Sequence, residues 1–109
     1  MAYKSIIAMV KPNLTDTVVD SAKKVGATGA TIIAASGTGA KEAKTFFGLS
    51  LDIRTDVIMF LVDEGMVAPV LAAIEKAGRF DQPGTGIAFV LPVERISGFE
   101  SQQAGRKTG

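Results

Sequence analysis

The sequence predicts an α+β protein of the ferredoxin-like sandwich class (βαβ-βαβ), with two helices on one face of an antiparallel sheet. The chain has 109 residues, the length of one domain. Its predicted elements follow the order strand–helix–strand twice, with a long connection between the two halves. The predicted strands are almost continuous apolar runs, so both faces of the sheet need burial. Because two helices cover only one face, we expect further copies of the chain to cover the other.

The first half of the chain supplies a strand, a helix and a second strand. A β-branched apolar run over residues 6–10 stops before Pro12 and is typical of a strand. Asn13 is the predicted N-cap of the following helix, whose apolar residues recur on one face. Gly26 suits the end of that helix, and residues 31–35 read as the second strand.

The second half repeats this order after a long connection. Residues 36–54 follow neither the helical nor the strand period and are predicted to be a loop. Residues 57–62 form the third predicted strand, and the acidic residues 63–64 suit the N-terminus of the helix that follows. Gly78 ends this helix, and residues 87–91 form the fourth strand.

The composition argues against several functional classes. Apolar residues make up 47% of the chain and the formal net charge is +1, which disfavours nucleic-acid binding through a basic surface. The chain has no cysteine and no histidine, so it lacks the thiolate and imidazole groups of most metal sites and nucleophiles. We expect no enzyme activity, no metal and no nucleic-acid partner. No apolar run reaches the length of a bilayer span, and we expect a cytoplasmic protein.

Two turns of the form Gly-Thr-Gly are the candidate ligand-binding elements: Gly37-Thr38-Gly39 and Gly84-Thr85-Gly86. Glycines here permit positive φ and leave the backbone bare, so that its N–H groups can approach a phosphate. Hairpins and helix–strand connections also use glycine, so one such turn carries little information. Two of them, each beside a predicted strand, favour an anion-binding role.

The long connection carries the other candidates. Lys41 and Lys44 either bind an anion or only solvate the loop. Phe46 and Phe47 are adjacent aromatic residues in polar surroundings, and they either pack on the core or form a docking anchor for a partner. These residues leave both alternatives open.

Taken together, these pieces resemble a PII-type signal-transduction protein. They occur in the order found in that family: residues 6–10 with Lys11-Pro12, Gly26, residues 29–31, residues 36–39 and residues 84–90. The resemblance covers residues 3–98. Residues 37–54 correspond to the T-loop of the family, and residues 99–109 remain as a predicted flexible tail.

The resemblance implies a homotrimer that binds an adenine nucleotide (AMP, ADP or ATP) as effector in its inter-subunit clefts. The residues that it implies for the ligand are Thr31, near the base, and both Gly-Thr-Gly turns. For a partner it implies docking through the T-loop, with Lys41, Lys44, Phe46 and Phe47 as contact residues. The implied partner is a membrane transporter, which would bring this cytoplasmic protein to the membrane.

The chain departs from the family pattern at charged positions. The lysine that normally follows the second glycine of the family's nucleotide-binding B-loop is Ile87 here, and two phosphate-binding arginines are replaced by Gly98 and Glu100, although Arg95 remains nearby. The T-loop is short and has no tyrosine, so we expect no uridylylation. These departures indicate a divergent PII-like branch in which ATP loses more affinity than AMP or ADP, because charge-assisted phosphate contacts are missing.

An ACT-like module that senses a small metabolite is the main alternative, because it shares this order of strands and helices. Such a module is expected within a longer enzyme. An RNA-recognition motif needs aromatic residues flanked by basic ones on its central strands, whereas Phe60 and Phe89 lie in apolar runs. The copper-tolerance trimers of similar fold are disfavoured by the absence of histidine and cysteine.

Overall fold

The computed structural model describes residues 2–36, 45–46, 49–50 and 54–99, with Ser36 and the two dipeptides described by their backbone alone. The helices and strands, in chain order, are β1 (Tyr3–Val10), α1 (Thr15–Lys24), β2 (Thr31–Ser36), β3 (Thr45–Phe46), β4 (Leu49–Ser50), β5 (Arg54–Asp63), α2 (Val67–Ala77) and β6 (Gly86–Pro92). Single turns of 3-10 helix, Pro12–Leu14 and Glu64–Met66, precede the two α-helices.

Four strands form one antiparallel sheet in the order β2-β5-β1-β6. The central strand β1 pairs with β5 on one side and with β6 on the other, so that Ile6 lies between Phe60 and Val90. The predicted ferredoxin-like sandwich is confirmed. Strands β3 and β4 pair with each other and lie within the segment that we predicted as a loop.

The hydrophobic core lies between the sheet and the two helices. Every second side chain is buried from Ile6 to Val10 of β1 and from Ile58 to Val62 of β5, as expected when one face of a sheet is covered. The helices place the small and branched side chains of one face against these positions. The buried apolar cluster consists of Ile6, Ala8, Val10, Val18, Ala22, Ala27, Ile58, Phe60, Val62, Val70 and Ile74. Both halves of the chain contribute to it, so they form one domain.

The other face of the sheet is strongly apolar, and we call it the open face. Alternation along the paired strands assigns it these residues: Ser5, Ile7, Met9, Thr31, Ile33, Ala35, Val57, Met59, Leu61, Ile87, Phe89 and Leu91. Ile33, Met59 and Leu91 are 48%, 39% and 46% exposed, respectively. A contiguous apolar surface of this kind is typical of an interface between proteins. The continuous apolar strands of the sequence thus supply two apolar faces, and the helices cover one.

The start of α1 differs from the prediction. Asn13 lies inside the 3-10 turn, and α1 begins at Thr15 without a side-chain cap. Proline lacks an N–H group and is well suited to the first position of a helical turn, so Pro12 starts the 3-10 turn before Asn13 can act as a cap. The Thr15 hydroxyl instead donates a 2.6 Å hydrogen bond to the Asp56 carboxylate, which ties α1 to β5.

The ends of α2 agree with the prediction. The Asp63 carboxylate accepts a 2.9 Å hydrogen bond from the Gly65 N–H and caps the 3-10 turn that leads into the helix. Gly78 is the C-cap, and its N–H donates to the Ile74 carbonyl. The chain then enters the turn that precedes β6.

Candidate functional site

The turn that contains Gly84 and Gly86 connects α2 to the edge strand β6. Gly84 has a φ of +76°, and a Cβ atom placed on its backbone would meet nothing within 4 Å. Gly84 therefore has both properties expected of a residue that a ligand approaches closely: a conformation that favours glycine, and open space.

Gly86 does not use the positive φ that glycine permits. It is the first residue of β6 and pairs with Val10. A Cβ atom at Gly86 would lie 2.5 Å from Cε1 of Phe80 and 2.7 Å from the Met9 carbonyl oxygen. Packing against the aromatic ring and against β1, not the backbone conformation, requires glycine at this position.

The Thr85 hydroxyl is bonded within the turn. It donates to the Arg79 carbonyl at 2.6 Å and to the Gln82 carbonyl at 2.9 Å. Among the described residues, the adjacent N–H groups of Gly84 and Thr85 have no hydrogen-bond acceptor. The turn thus offers two neighbouring backbone donors, an arrangement that can bind an anionic group.

A hollow of about 540 Å³ is lined by residues 28–31, by Met59 and Leu61 of the open face, and by Val93 and Phe99 from the segment after β6. Its lining therefore combines apolar side chains with the hydroxyl groups of threonine residues. Thr31, which we predicted near a nucleotide base, lines it.

The segment after β6 folds back over the open face. The Phe99 ring packs edge-to-face on Tyr3, with ring centroids 4.9 Å apart and planes inclined by 74°. Phe99 was not among the predicted site residues, because no periodic pattern connects it with residues at the other end of the chain.

Within one chain, the structure does not bring the turn and the hollow together. Thr31 lies on β2 and Gly86 on β6, which are the two edges of the sheet. Two strands separate them, which at the usual strand spacing means about 14 Å. Ser36 of β2 pairs with Arg54 of β5, so the end of β2 and the start of β6 lie at the same end of the sheet but on opposite edges.

Several predicted site residues lie outside the described residues: Gly37, Thr38, Gly39, Lys41, Lys44 and Phe47. Phe46 belongs to β3 and pairs with Leu49, and only its backbone is described. The anion-binding role of the lysines and the docking role of the phenylalanines therefore stay predictions.

The positions that depart from the PII pattern can be placed in part. Ile87 lies on the open face of β6, where it pairs with Met9. Gly98 has a φ of +84°, with open space where a side chain would lie, and Arg95 is exposed. Glu100 lies outside the described residues. At the two described positions, Ile87 and Gly98, the positive charge of the family pattern is therefore missing.

Two further tests concern metal ions and membranes. Within residues 2–36 and 54–99 and the two dipeptides, no group of three or more His, Cys, Asp or Glu residues is placed to hold a metal ion. In the same part of the chain, neither helix has both the length and the apolar character of a membrane span.

Comparison with known proteins gives consistent matches. The family model described as nitrogen regulatory protein P-II matches residues 3–102. The nitrogen regulatory protein P-II of Azospirillum brasilense is 27% identical over 107 residues, covering 94% of this chain and 96% of that protein. The nitrogen regulatory protein GlnK1 of Methanosarcina mazei is 25% identical over 112 residues, covering 96% of each.

A solved structure has the same fold. The CPII protein of Thiomonas intermedia K12, determined with ADP, AMP and acetate bound, superposes with a TM-score of 0.68 at 21% sequence identity. The match covers 91% of this chain and 93% of that protein. Trimeric assembly is typical of PII proteins. Since the family model spans nearly all of the described fold, this chain belongs to the nitrogen regulatory protein P-II family.

Proposed function

We propose that this PII protein binds an adenine nucleotide between the subunits of a homotrimer and controls a target protein through residues 37–54. The observation that best supports the nucleotide site is the turn at Gly84, with its open space and two N–H groups that have no acceptor among the described residues. The hollow beside Thr31 supports the proposal, because about 540 Å³ falls within the usual range for small-molecule pockets. The ADP and AMP in the Thiomonas protein of the same fold support the class of ligand.

Two features of the described fold support a closed assembly such as the trimer. The open face leaves residues such as Met59 and Leu91 exposed in a single chain. The turn and Thr31 lie on opposite edges of the sheet, so a site that uses both requires the edge of one subunit beside the opposite edge of the next. A cyclic assembly meets both requirements, because every subunit then offers both edges to its neighbours.

The proposed preference is for AMP or ADP over ATP. Ile87 on β6 cannot form an ion pair with a phosphate, and Gly98 offers no side chain. Each lost charge-assisted hydrogen bond weakens binding by about 1.5–3 kcal/mol where the site is dry. A nucleotide with fewer phosphates has fewer such bonds to lose.

The experiment that tests this function is titration calorimetry of the assembled protein with AMP, ADP and ATP, together with a Gly84→Ala variant. We expect measurable binding by the wild type and a loss of at least about tenfold in the variant, because a side chain at positive φ strains the turn and occupies its open space. Gly65→Ala is the control, since Gly65 does not have a positive φ and lies in the 3-10 turn that precedes α2.

Absence of heat for every adenine nucleotide, with a folded oligomeric wild type, would contradict the proposed function. That result would favour the ACT-like alternative, in which a small metabolite binds instead. Equal affinities of the Gly84→Ala variant and the wild type would place the nucleotide elsewhere on the protein.

The proposed output is docking of residues 37–54 on the cytoplasmic side of a membrane transporter. Phe46 and Phe47 would anchor the contact, and the positive charges of Lys41 and Lys44 would steer it. Ligand binding can change the population of a docking-competent segment only if the ligand prefers one of its states. The position of this segment next to the end of β2 supports such a linkage, because β2 also carries Thr31 at the hollow.

A double Phe46→Ala, Phe47→Ala variant is expected to keep its melting temperature and to lose co-purification of a transporter identified by mass spectrometry. The opposing result is a variant that melts well below the wild type, since removing two core phenylalanines would lower stability by about 3–5 kcal/mol each. Lys23→Ala, on the exposed surface of α1, is the control for nonspecific effects on co-purification.

A further inference from the structure

Arg79 is the one non-glycine residue of the described chain with a positive φ, at 57°. This conformation is unfavourable for a residue with a side chain. At Arg79 it belongs to the end of α2, because the Arg79 N–H donates to the Lys76 carbonyl at 3.3 Å and the next N–H donates to the Glu75 carbonyl. These two bonds define a Schellman motif, in which the residue after the helix C-cap has positive φ. Arg79 directly follows the C-cap of α2 and begins the turn that reaches Gly84.

The Arg79 carbonyl oxygen accepts two hydrogen bonds from the turn that follows α2. One comes from the Thr85 hydroxyl at 2.6 Å, and the other comes from the Gln82 N–H at 3.0 Å. One carbonyl oxygen therefore holds both the middle and the end of the turn. The Thr85 hydroxyl also reaches the Gln82 carbonyl at 2.9 Å, which closes the turn around a single side chain.

The Phe80 ring holds the same turn from the other side. The Phe80 N–H donates to the Glu75 carbonyl at 3.0 Å, which fixes its backbone to the last turn of α2. Its ring occupies the space where side chains at Gly78 and Gly86 would lie. The start of β6 is thus packed on an aromatic side chain that is itself anchored to the helix.

From these contacts we propose that Thr85 is a positioning residue of the nucleotide site. Its hydroxyl holds the turn in the conformation in which the N–H groups of Gly84 and Thr85 are available to an anionic group of the ligand. This inference rests on the proposed function. It adds one statement, that the turn is already ordered in the nucleotide-free protein. Binding to a preorganised turn avoids the loss of backbone entropy that ordering a free loop requires.

The test compares Thr85→Val, which keeps the shape of the side chain but removes the hydroxyl, with Thr85→Ser, which keeps the hydroxyl. Calorimetry with ADP is expected to show about tenfold weaker binding for Thr85→Val, the loss appropriate to one hydrogen bond, and nearly full affinity for Thr85→Ser. Hydrogen exchange of the nucleotide-free protein is expected to be faster at the Gln82 N–H, which is bonded to the Arg79 carbonyl within the turn, in Thr85→Val only. Melting temperatures are expected to stay close together, because Thr85 lies at the surface and outside the buried core.

Unchanged ADP affinity in Thr85→Val, or a Thr85→Ser variant as weak as Thr85→Val, would overturn the positioning role while leaving the proposed function intact. Should the valine disturb β6, Thr85→Ala removes the same hydroxyl without its bulk, and the same outcomes apply. If the wild type binds no nucleotide, the proposed function fails, but hydrogen exchange still decides whether the hydroxyl orders the turn. Unchanged exchange at the Gln82 N–H would then overturn the inference as well.

Discussion

Replacing Ile7 by glutamate is expected to convert the assembled protein into folded monomers. Ile7 lies on the central strand, where it pairs with Met59 on one side and Phe89 on the other, so it is at the middle of the open face. A carboxylate buried there by neighbouring subunits would lack a partner, and the desolvation of each such charge opposes assembly by several kcal/mol. The helix-side core does not include Ile7, so the fold of the single chain is expected to survive.

Light scattering coupled to size exclusion at micromolar concentration measures this effect, and circular dichroism checks the fold. Ala72→Glu introduces the same glutamate side chain on the exposed surface of α2, and it is expected to leave the assembly intact. A wild type with the mass of a monomer, or an Ile7→Glu variant with the mass of the wild type, would refute assembly through the open face.

Truncating Phe60 to alanine is expected to give the largest loss of stability of any single change discussed above. Phe60 is 1% exposed and lies on β5 in the centre of the core. Removal of a buried phenylalanine ring lowers the free energy of unfolding by about 3–5 kcal/mol, which is a large part of the stability of a domain of this size. Urea unfolding followed by circular dichroism measures the change.

The neighbouring residue Met59 is the matched comparison, because it lies on the same strand but on the open face. Met59→Ala is expected to lower stability by an amount that depends on protein concentration, since its side chain would be buried only by another subunit. Phe60→Ala is expected to lower stability at every concentration. Equal losses of stability in the two variants, independent of protein concentration, would show that Met59 is not buried by another subunit.

The sequence predicted the fold well because its main signals are local. The apolar runs that became β1 and β5 and the helical periodicity of α1 and α2 are each visible within about ten residues. The prediction of an apolar second face also depended only on the absence of alternation in the strands. The details that were wrong depend on competition between neighbours, as when Pro12 starts a 3-10 turn and removes Asn13 from the cap position.

The site was less predictable because its geometry depends on contacts between distant residues. The conformation of Gly86 is set by its pairing with Val10, which the sequence does not reveal. Phe80 lies in the turn before β6 and Phe99 lies after that strand, and only the folded chain brings Phe99 against Tyr3. An aromatic residue between two glycines, as in 78–86, is the one sequence signal that could have identified Phe80 as part of the turn.

The separation of Thr31 and Gly86 on opposite edges of the sheet has a thermodynamic consequence under the proposed function. A ligand that needs both edges binds only to assembled subunits, so occupancy and assembly form one linked equilibrium. Apparent nucleotide affinity then falls when the protein is diluted below the range in which subunits associate. By the same linkage, added nucleotide shifts that range to lower protein concentration, so the concentration of the protein would set its sensitivity to the effector.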